Sequence, residues 1–133
     1  MTAHLLIIED NPTNMELAEY LLRFAGYTPT KAYDGAAGLQ LIEAQRPDLV
    51  ICDLQMPVLD GYEVLQRVRS TPAIQHLVVV AVTALSMPGD KARVLAAGFN
   101  GYLSKPIDPE TFVAELEAYL PAELRAPRST RSA

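Results

Sequence analysis

The 133-residue sequence contains one cysteine, two histidines and no tryptophan. A single thiol, on Cys52, excludes an intrachain disulfide framework and a cysteine zinc cluster, and the distant His4 and His76 do not suggest a histidine metal site. The longest apolar run, residues 77–82, is too short to cross a membrane. Because Glu9 also interrupts the first apolar run, the N-terminus does not have the pattern of a signal peptide. We therefore expect a cytoplasmic protein.

Positive charge is also scarce, with 11 basic against 16 acidic residues and a net charge of −5. Binding to nucleic acid generally needs a basic surface, so this balance argues against it. Residues 1–121 carry the acidic excess and are long enough for one domain. Residues 122–133 hold three arginines and few apolar side chains, which predicts a disordered tail.

Short β-rich runs alternate with helical patterns along the chain, which is typical of a parallel sheet with right-handed crossovers. The predicted strands are Leu5–Ile8, 28–32, Leu49–Asp53, Val78–Thr83 and Gly101–Ser104. The first, third and fourth runs are continuously apolar, as central strands should be. The second run contains Pro29 and Lys31, which favour an edge. These features fit the strand order 2-1-3-4-5 best among several possible orders.

Capping residues mark the predicted helices between the strands. Asp34, Asp60 and Asp108 have the position of N-caps, and Gly26 and Gly98 have the position of helix ends. Asp60 is followed at the right spacing by a glutamate for a capping box. The buried faces predicted from the 3.6-residue period are Met15, Ala18, Leu22 and Ala25 in the first helix, Ala37, Leu41 and Ala44 in the second, Val64 and Val68 in the third, and Phe112, Leu116 and Leu120 in the last.

Reactive side chains collect where the predicted strands end. Glu9 and Asp10 follow the first strand, Asp53 ends the third, Thr83 ends the fourth, and Lys105 follows the fifth. Carboxyl ends of parallel strands share one edge of the sheet, where open α/β sheets bind ligands. Each residue alone has an ordinary structural explanation, such as a turn, a cap or a loop position. Their coincidence at one edge favours a site in which carboxylates hold Mg²⁺ and the lysine and hydroxyl contact phosphoryl oxygens.

Four motifs in this order resemble the receiver domain of two-component response regulators, over residues 4 to about 120. They are residues 7–11 (Ile-Ile-Glu-Asp-Asn), residues 53–57 (Asp-Leu-Gln-Met-Pro) with Asp60-Gly61, Thr83-Ala84, and Ser104-Lys105-Pro106. The resemblance implies a flavodoxin-like (βα)5 three-layer sandwich with the sheet order 2-1-3-4-5. It is greatest for single-domain cell-cycle and chemotaxis regulators and for the receivers of hybrid kinases.

The resemblance implies that Asp53 is the phosphoacceptor, which takes a phosphoryl group from a phosphohistidine donor. Asp10 and Asp53 are expected to bind Mg²⁺ directly, together with the backbone carbonyl of Gln55. Glu9 is expected to act mainly through a metal-bound water.

The same resemblance implies that Thr83 and Lys105 contact the phosphoryl oxygens and that Tyr102 is the switch aromatic. Gln55 and Leu85 occupy positions at which the family tunes the lifetime of the phosphoryl group. Leu85 offers an attacking water no hydrogen bond, so we expect a long lifetime. Cys52 is expected to be a core residue.

The expected function is therefore that of a phosphorylatable signalling receiver, not an enzyme. Its expected partners are a histidine kinase or histidine phosphotransfer protein and a downstream protein effector, and its expected state is a monomer or a phosphorylation-dependent dimer. Two alternatives remain: a receiver excised from a hybrid histidine kinase, and a phosphohydrolase with an aspartyl-phosphate intermediate. The second is disfavoured by Gln55, because such hydrolases usually have a second carboxylate there.

Overall fold

The computed structural model describes residues 2–84 and 88–126, and its centre is a five-stranded parallel sheet. The strands are β1 (Leu5–Ile8), β2 (Thr30–Ala32), β3 (Leu49–Asp53), β4 (Val78–Thr83) and β5 (Gly101–Ser104). Their order is β2-β1-β3-β4-β5, which confirms the predicted fold and strand order. Only β2 differs in extent, since it begins at Thr30 and not at residue 28. Pro29 has no N–H to donate to the ladder, which explains the later start.

Helices cover both faces of the sheet. They are α1 (Pro12–Phe24), α2 (Gly35–Gln45), α3 (Gly61–Ser70), α4 (Asp90–Ala97) and α5 (Phe112–Glu117). The predicted caps are confirmed at Asp34, whose side chain accepts from the Ala37 N–H, and at Asp60, which forms a complete capping box. α1 and α4 are followed by Gly26 and Gly98, both with positive φ.

Two apolar layers, one on each face of the sheet, form the core. Leu5, Ile7, Ile51, Val80 and Val82 face α1 and α5, and Leu6, Ile8, Val50, Cys52 and Val79 face the other layer. The predicted inward residues of the first, third and last helices are buried. Cys52 is fully buried, as predicted, and burial raises the pKa of its thiol well above the usual range.

The predicted inward face of α2 is wrong by about one residue. The structure buries Gly35, Gly38 and Ile42, whereas the predicted Ala37 and Leu41 are half-buried against the same core layer and Ala44 is exposed. The glycines carry no apolar side chain, so the spacing of apolar residues does not mark them as inward residues. A Cβ on Gly38 would lie 2.4 Å from Cδ1 of Ile8, so the absence of a side chain lets α2 pack closely on β1.

α5 begins later than predicted. Asp108 accepts a hydrogen bond from the Glu110 N–H and its carbonyl accepts from the N–H of Thr111 and Phe112. These bonds form a turn before the regular helix, which begins at Phe112.

The last described residues, 122–126, pack on the domain, although the sequence pattern assigns them to a disordered tail. Residues Ala122–Leu124 form a 3₁₀ turn, and the Leu124 carbonyl accepts a hydrogen bond of 2.8 Å from the Ala3 N–H. Ala126 is buried, and its N–H donates to the hydroxyl of Tyr27 at 2.9 Å. Residues 127–133 of the predicted tail lie outside the described residues. Among the described helices, none is long and apolar enough to cross a membrane.

Candidate functional site

The carboxyl edge of the sheet brings the predicted site residues together. In the strand register Ile8 pairs with Cys52, so Glu9, directly after β1, lies next to Asp53 at the end of β3. Asp53 pairs with Val82, and the next residue of β4 is Thr83. Thr83 pairs with Ser104, and Lys105 follows. The parallel register therefore delivers one polar group from each of four strand ends.

Three carboxylates form the centre of this site. Glu9, Asp10 and Asp53 each offer an oxygen, and these oxygens all lie within 4.8 Å of one another. Glu9 is 5% exposed and Asp53 is 3% exposed, while Asp10 lies closer to solvent. Like charges at this spacing repel strongly when they are partly dehydrated, so the cluster needs a positive partner.

Lys105 supplies positive charge inside the cluster. Its Nζ lies 3.1 Å from Oε1 of Glu9 and 3.3 Å from Oδ2 of Asp53. Two backbone N–H groups bind the remaining oxygens: that of Asn11 donates to Oε2 of Glu9 and that of Gln55 to Oδ1 of Asp53, both at 3.1 Å. Lys105 itself is held by its own N–H, which donates to the Thr83 carbonyl at 2.8 Å.

The pKa of Glu9 reflects this balance. Burial and the neighbouring charge of Asp53 raise it to about 7, although the Asn11 N–H and Lys105 act in the opposite direction. Burial alone lowers the pKa of Lys105, but the contacts with Glu9 and Asp53 outweigh burial and raise it. Lys105 therefore stays protonated, while Glu9 resists ionisation more than an exposed glutamate does.

Asn11 and Gly61, which belong to the sequence motifs but have no predicted role there, also shape the site. Asn11 is the N-cap of α1, where its side chain accepts from the N–H groups of Thr13 and Asn14. The Asn-Pro pair at residues 11–12 was an available signal, since proline favours the first helical position. Gly61 begins α3 against the backbone of Asp53, and a Cβ there would lie 2.6 Å from the Asp53 carbonyl oxygen. Only glycine allows this approach without displacing the end of β3.

The remaining predicted residues occupy distinct places around the cluster. Thr83 is fully buried at the end of β4, and Gln55 is exposed in the loop after β3. Tyr102 is half-buried on β5 and packs against the core layer that contains Cys52. Leu85 lies outside the described residues.

The donor set at this edge fits a magnesium ion. Mg²⁺ prefers oxygen ligands and is usually held by one or two carboxylates, a few waters and a phosphate oxygen. Asp10 and Asp53 provide carboxylates beside an exposed loop, and the single positive charge of Lys105 does not balance the three possible negative charges of the cluster. A divalent cation here would neutralise the excess.

Comparison with known proteins gives one consistent result. The family model of the response regulator receiver domain matches residues 5–117. The polar-differentiation response regulator DivK of Brucella ovis is 36% identical over 120 residues, which cover 90% of this chain and 98% of that protein.

Solved structures agree with the family match. The chemotaxis response regulator CheY4 of Vibrio cholerae superposes with a TM-score of 0.84 at 30% identity, over 90% of this chain and 100% of that chain. The receiver domain of a sensor histidine kinase from Pseudomonas aeruginosa has a TM-score of 0.80 at 34% identity, over 90% and 98%. That structure has a magnesium ion coordinated in its active-site cleft.

Proposed function

Because the chain belongs to the response regulator receiver domain family, we propose that Asp53 is the residue at which it is phosphorylated. Receivers of this family are phosphorylatable signalling proteins of two-component systems, and the function predicted from the sequence is that of such a receiver. The observation that supports Asp53 is its position: it ends β3 within the carboxylate cluster, and its two oxygens contact Lys105 and the Gln55 N–H.

The transfer is a displacement at phosphorus. An oxygen of Asp53 forms the new P–O bond as the P–N bond to the donor histidine breaks, and the imidazole leaves with the electron pair of that bond and takes up a proton. Catalysis of this step depends on positioning and on neutralising charge more than on covalent help from the protein. Lys105 is already within 3.3 Å of Asp53 and offers its ammonium to the phosphoryl oxygens.

We propose that Asp10, Asp53 and the backbone carbonyl of Gln55 hold Mg²⁺, with Glu9 acting through a bound water. When bound, the ion would offset the negative charge of the cluster and of the incoming phosphoryl group. Thr83 would donate its hydroxyl to a phosphoryl oxygen, and Tyr102 would respond to that contact on β5. The magnesium-bearing receiver from Pseudomonas aeruginosa supports this assignment by similarity.

The donor is proposed to be a histidine kinase or histidine phosphotransfer protein, and the output is proposed to be a protein that reads the surface formed by α4, β5 and α5. This surface carries a cavity of about 470 Å³ whose lining includes Lys91, Tyr102 and Phe112. A change in Tyr102 would therefore alter the shape of this cavity and of the surface around it. Oligomeric state, cytoplasmic location and the lack of an enzymatic turnover stay predictions.

Labelling with acetyl phosphate tests the proposal directly. We expect the wild type to gain one phosphoryl group in Mg²⁺ and to lose labelling in excess chelator, and Asp53→Asn to remain unlabelled. Asp60→Asn is the matched control, because it makes the same change at the far end of the loop that follows β3, and asparagine still caps α3. Equal labelling of wild type and Asp53→Asn, or labelling that ignores the chelator, would contradict the assignment. Steady turnover of a phosphomonoester would favour the hydrolase alternative instead.

A further inference from the structure

A second polar cluster lies at the opposite end of the sheet, and its centre is Arg69 near the end of α3. In the described part of the chain its guanidinium donates five hydrogen bonds. Nε and Nη2 donate to the Gly98 carbonyl at 3.1 and 2.8 Å, Nη1 donates to the carbonyls of Gln75 and Leu77 at 2.9 and 2.7 Å, and Nη2 also donates to Oδ1 of Asn100 at 2.8 Å. None of these acceptors carries a charge.

The acceptors belong to the elements that lead to the site. Gln75 and Leu77 lie in the connection from α3 to β4, Gly98 ends α4, and Asn100 precedes β5. Asn100 also accepts from the Val79 N–H of β4 at 2.9 Å. The Arg69 side chain therefore joins the far ends of β4, which ends at Thr83, and of β5, which contains Tyr102 and leads to Lys105, together with the helix between them.

α4 buries little apolar surface. It is eight residues long, and its buried residues are the apolar Val94 and the charged Asp90. At its C-terminal end the Gly98 carbonyl receives two bonds from a cation, which also interacts favourably with a helix C-terminus. The far end of α4 is thus held by Arg69, whereas its near end follows Thr83 in the chain.

We infer that Arg69 is a positioning residue that fixes the far end of α4, so that a change at Thr83 moves only the near end of α4 and the adjacent part of β5. The inference rests on the proposed function, because it concerns how phosphorylation of Asp53 reaches the output surface. Burial also lowers the pKa of Arg69. Because the acceptors are neutral, the guanidinium needs hydrogen bonds from all three of its nitrogens to offset the loss of water. A lysine or glutamine cannot reach all four acceptors at once.

The test compares wild type with Arg69→Gln and with Arg67→Gln, an exposed arginine on the same helix that gives the same change of charge. Each protein is studied with and without acetyl phosphate in Mg²⁺. The readouts are labelling of Asp53, amide hydrogen exchange along the chain, and the NMR chemical shifts of Tyr102.

For Arg69→Gln we expect labelling of Asp53 within about twofold of wild type, because Arg69 is remote from the site. Amides 94–98 should exchange at least about tenfold faster than in wild type, while those of β1 and β3 keep their rates, as expected for local release of one element. The shift of Tyr102 on phosphorylation should fall below about half of its wild-type size. Arg67→Gln should match wild type in every readout.

A purely structural Arg69 would give a different result. Amide exchange would then rise throughout the domain, and the Tyr102 resonances would shift on phosphorylation as much as in wild type. That pair of results would overturn the inference, and so would an unchanged exchange rate in α4. If Arg69→Gln does not fold, Asn100→Ala removes one acceptor and should show the same changes at smaller size; wild-type behaviour of that variant would also overturn it. Failure of the wild type to be labelled would instead refute the proposed function.

Discussion

At the scale of single residues, Glu9 is the clearest example of a side chain held in a costly state. Its carboxylate is buried beside Asp53, and the pKa of about 7 means that the folded protein binds a proton more tightly than the unfolded chain does. Folding is therefore favoured by protonation of Glu9. This contribution is fully present below about pH 4.5 and is lost as the pH rises to about 7.

We accordingly predict that, in chelator, the stability of wild type relative to Glu9→Gln falls by on the order of 1 kcal/mol between pH 5 and pH 8. The amide that replaces the carboxyl group in this variant cannot ionise, so titrating groups that do not interact with Glu9 cancel in the comparison. Denaturant unfolding of both proteins across this range measures the difference. If the difference in the free energy of unfolding is constant, or grows in favour of wild type as the pH rises, then the pKa of Glu9 is not raised in the folded protein.

Thr83 carries the second prediction at this scale. Removing its hydroxyl in Thr83→Ala should leave Asp53 open to labelling but should weaken the change that phosphorylation causes at Tyr102. Thr83→Ser is the matched control, since it keeps the hydroxyl while losing a methyl group. The NMR shifts of Tyr102 before and after labelling give the measurement. A normal response in Thr83→Ala would exclude the coupling.

The composition of the site could be predicted from the sequence, because parallel strands deliver their next residues to one edge. Glu9, Asp10, Asp53, Thr83 and Lys105 do meet there. The contributions of the backbone could not be predicted in the same way. The N–H groups of Asn11 and Gln55 bind carboxylates only because of local turn geometry, which composition and periodicity do not define.

At the scale of elements, strands were easier to predict than helix faces. Four strands have the predicted bounds. Three of them, β1, β3 and β4, are continuous apolar runs that end at a charged residue or a turn. The inward face of α2 differs from the prediction because it includes Gly35 and Gly38, which allow close packing but have no apolar side chain. The order of residues 122–126 is not predictable from their composition, because it depends on hydrogen bonds with the Ala3 N–H and the Tyr27 hydroxyl, which are distant in sequence.

The anchoring of this segment leads to a prediction about Tyr27. Its hydroxyl donates to Oε2 of the buried Glu117 at 2.5 Å and accepts from the Ala126 N–H, so it joins α5 to the segment after it. Tyr27→Phe should lower the free energy of unfolding by about 1–3 kcal/mol, the usual cost of removing a buried hydrogen-bonding partner.

Chemical denaturation measures this cost, and Tyr20→Phe is the control, because Tyr20 is 64% exposed and should change stability by less than about 0.5 kcal/mol. Equal stabilities of the two variants would mean that the hydrogen bonds of the Tyr27 hydroxyl do not stabilise the domain.

At the scale of the whole molecule, the carboxylate cluster that forms the proposed site also lowers the stability of the fold. Three acidic groups at one edge are kept together by Lys105 and by the fold, although they repel one another. An arrangement that costs stability and serves activity is common at functional sites. Mg²⁺ should relieve part of that cost by binding the folded state.

For a dissociation constant of about 1 mM, about 10 mM Mg²⁺ should stabilise the folded state by ~1.4 kcal/mol. In a domain of this size that corresponds to a rise in Tm of roughly 3–5 °C. Asp53→Asn keeps an oxygen for the Gln55 N–H but removes one charge. Without metal it should therefore be more stable than wild type, by about 0.5–2 kcal/mol.

The most direct test of the account is a set of four melting curves, of wild type and Asp53→Asn, each in chelator and in about 10 mM Mg²⁺. We predict that Asp53→Asn melts above wild type in chelator and loses most of the increase in Tm that Mg²⁺ gives to wild type. If Asp53→Asn instead melts below wild type in chelator, and Mg²⁺ raises the Tm of both proteins equally, then Asp53 has a structural role and the cluster is not the metal-dependent phosphorylation site.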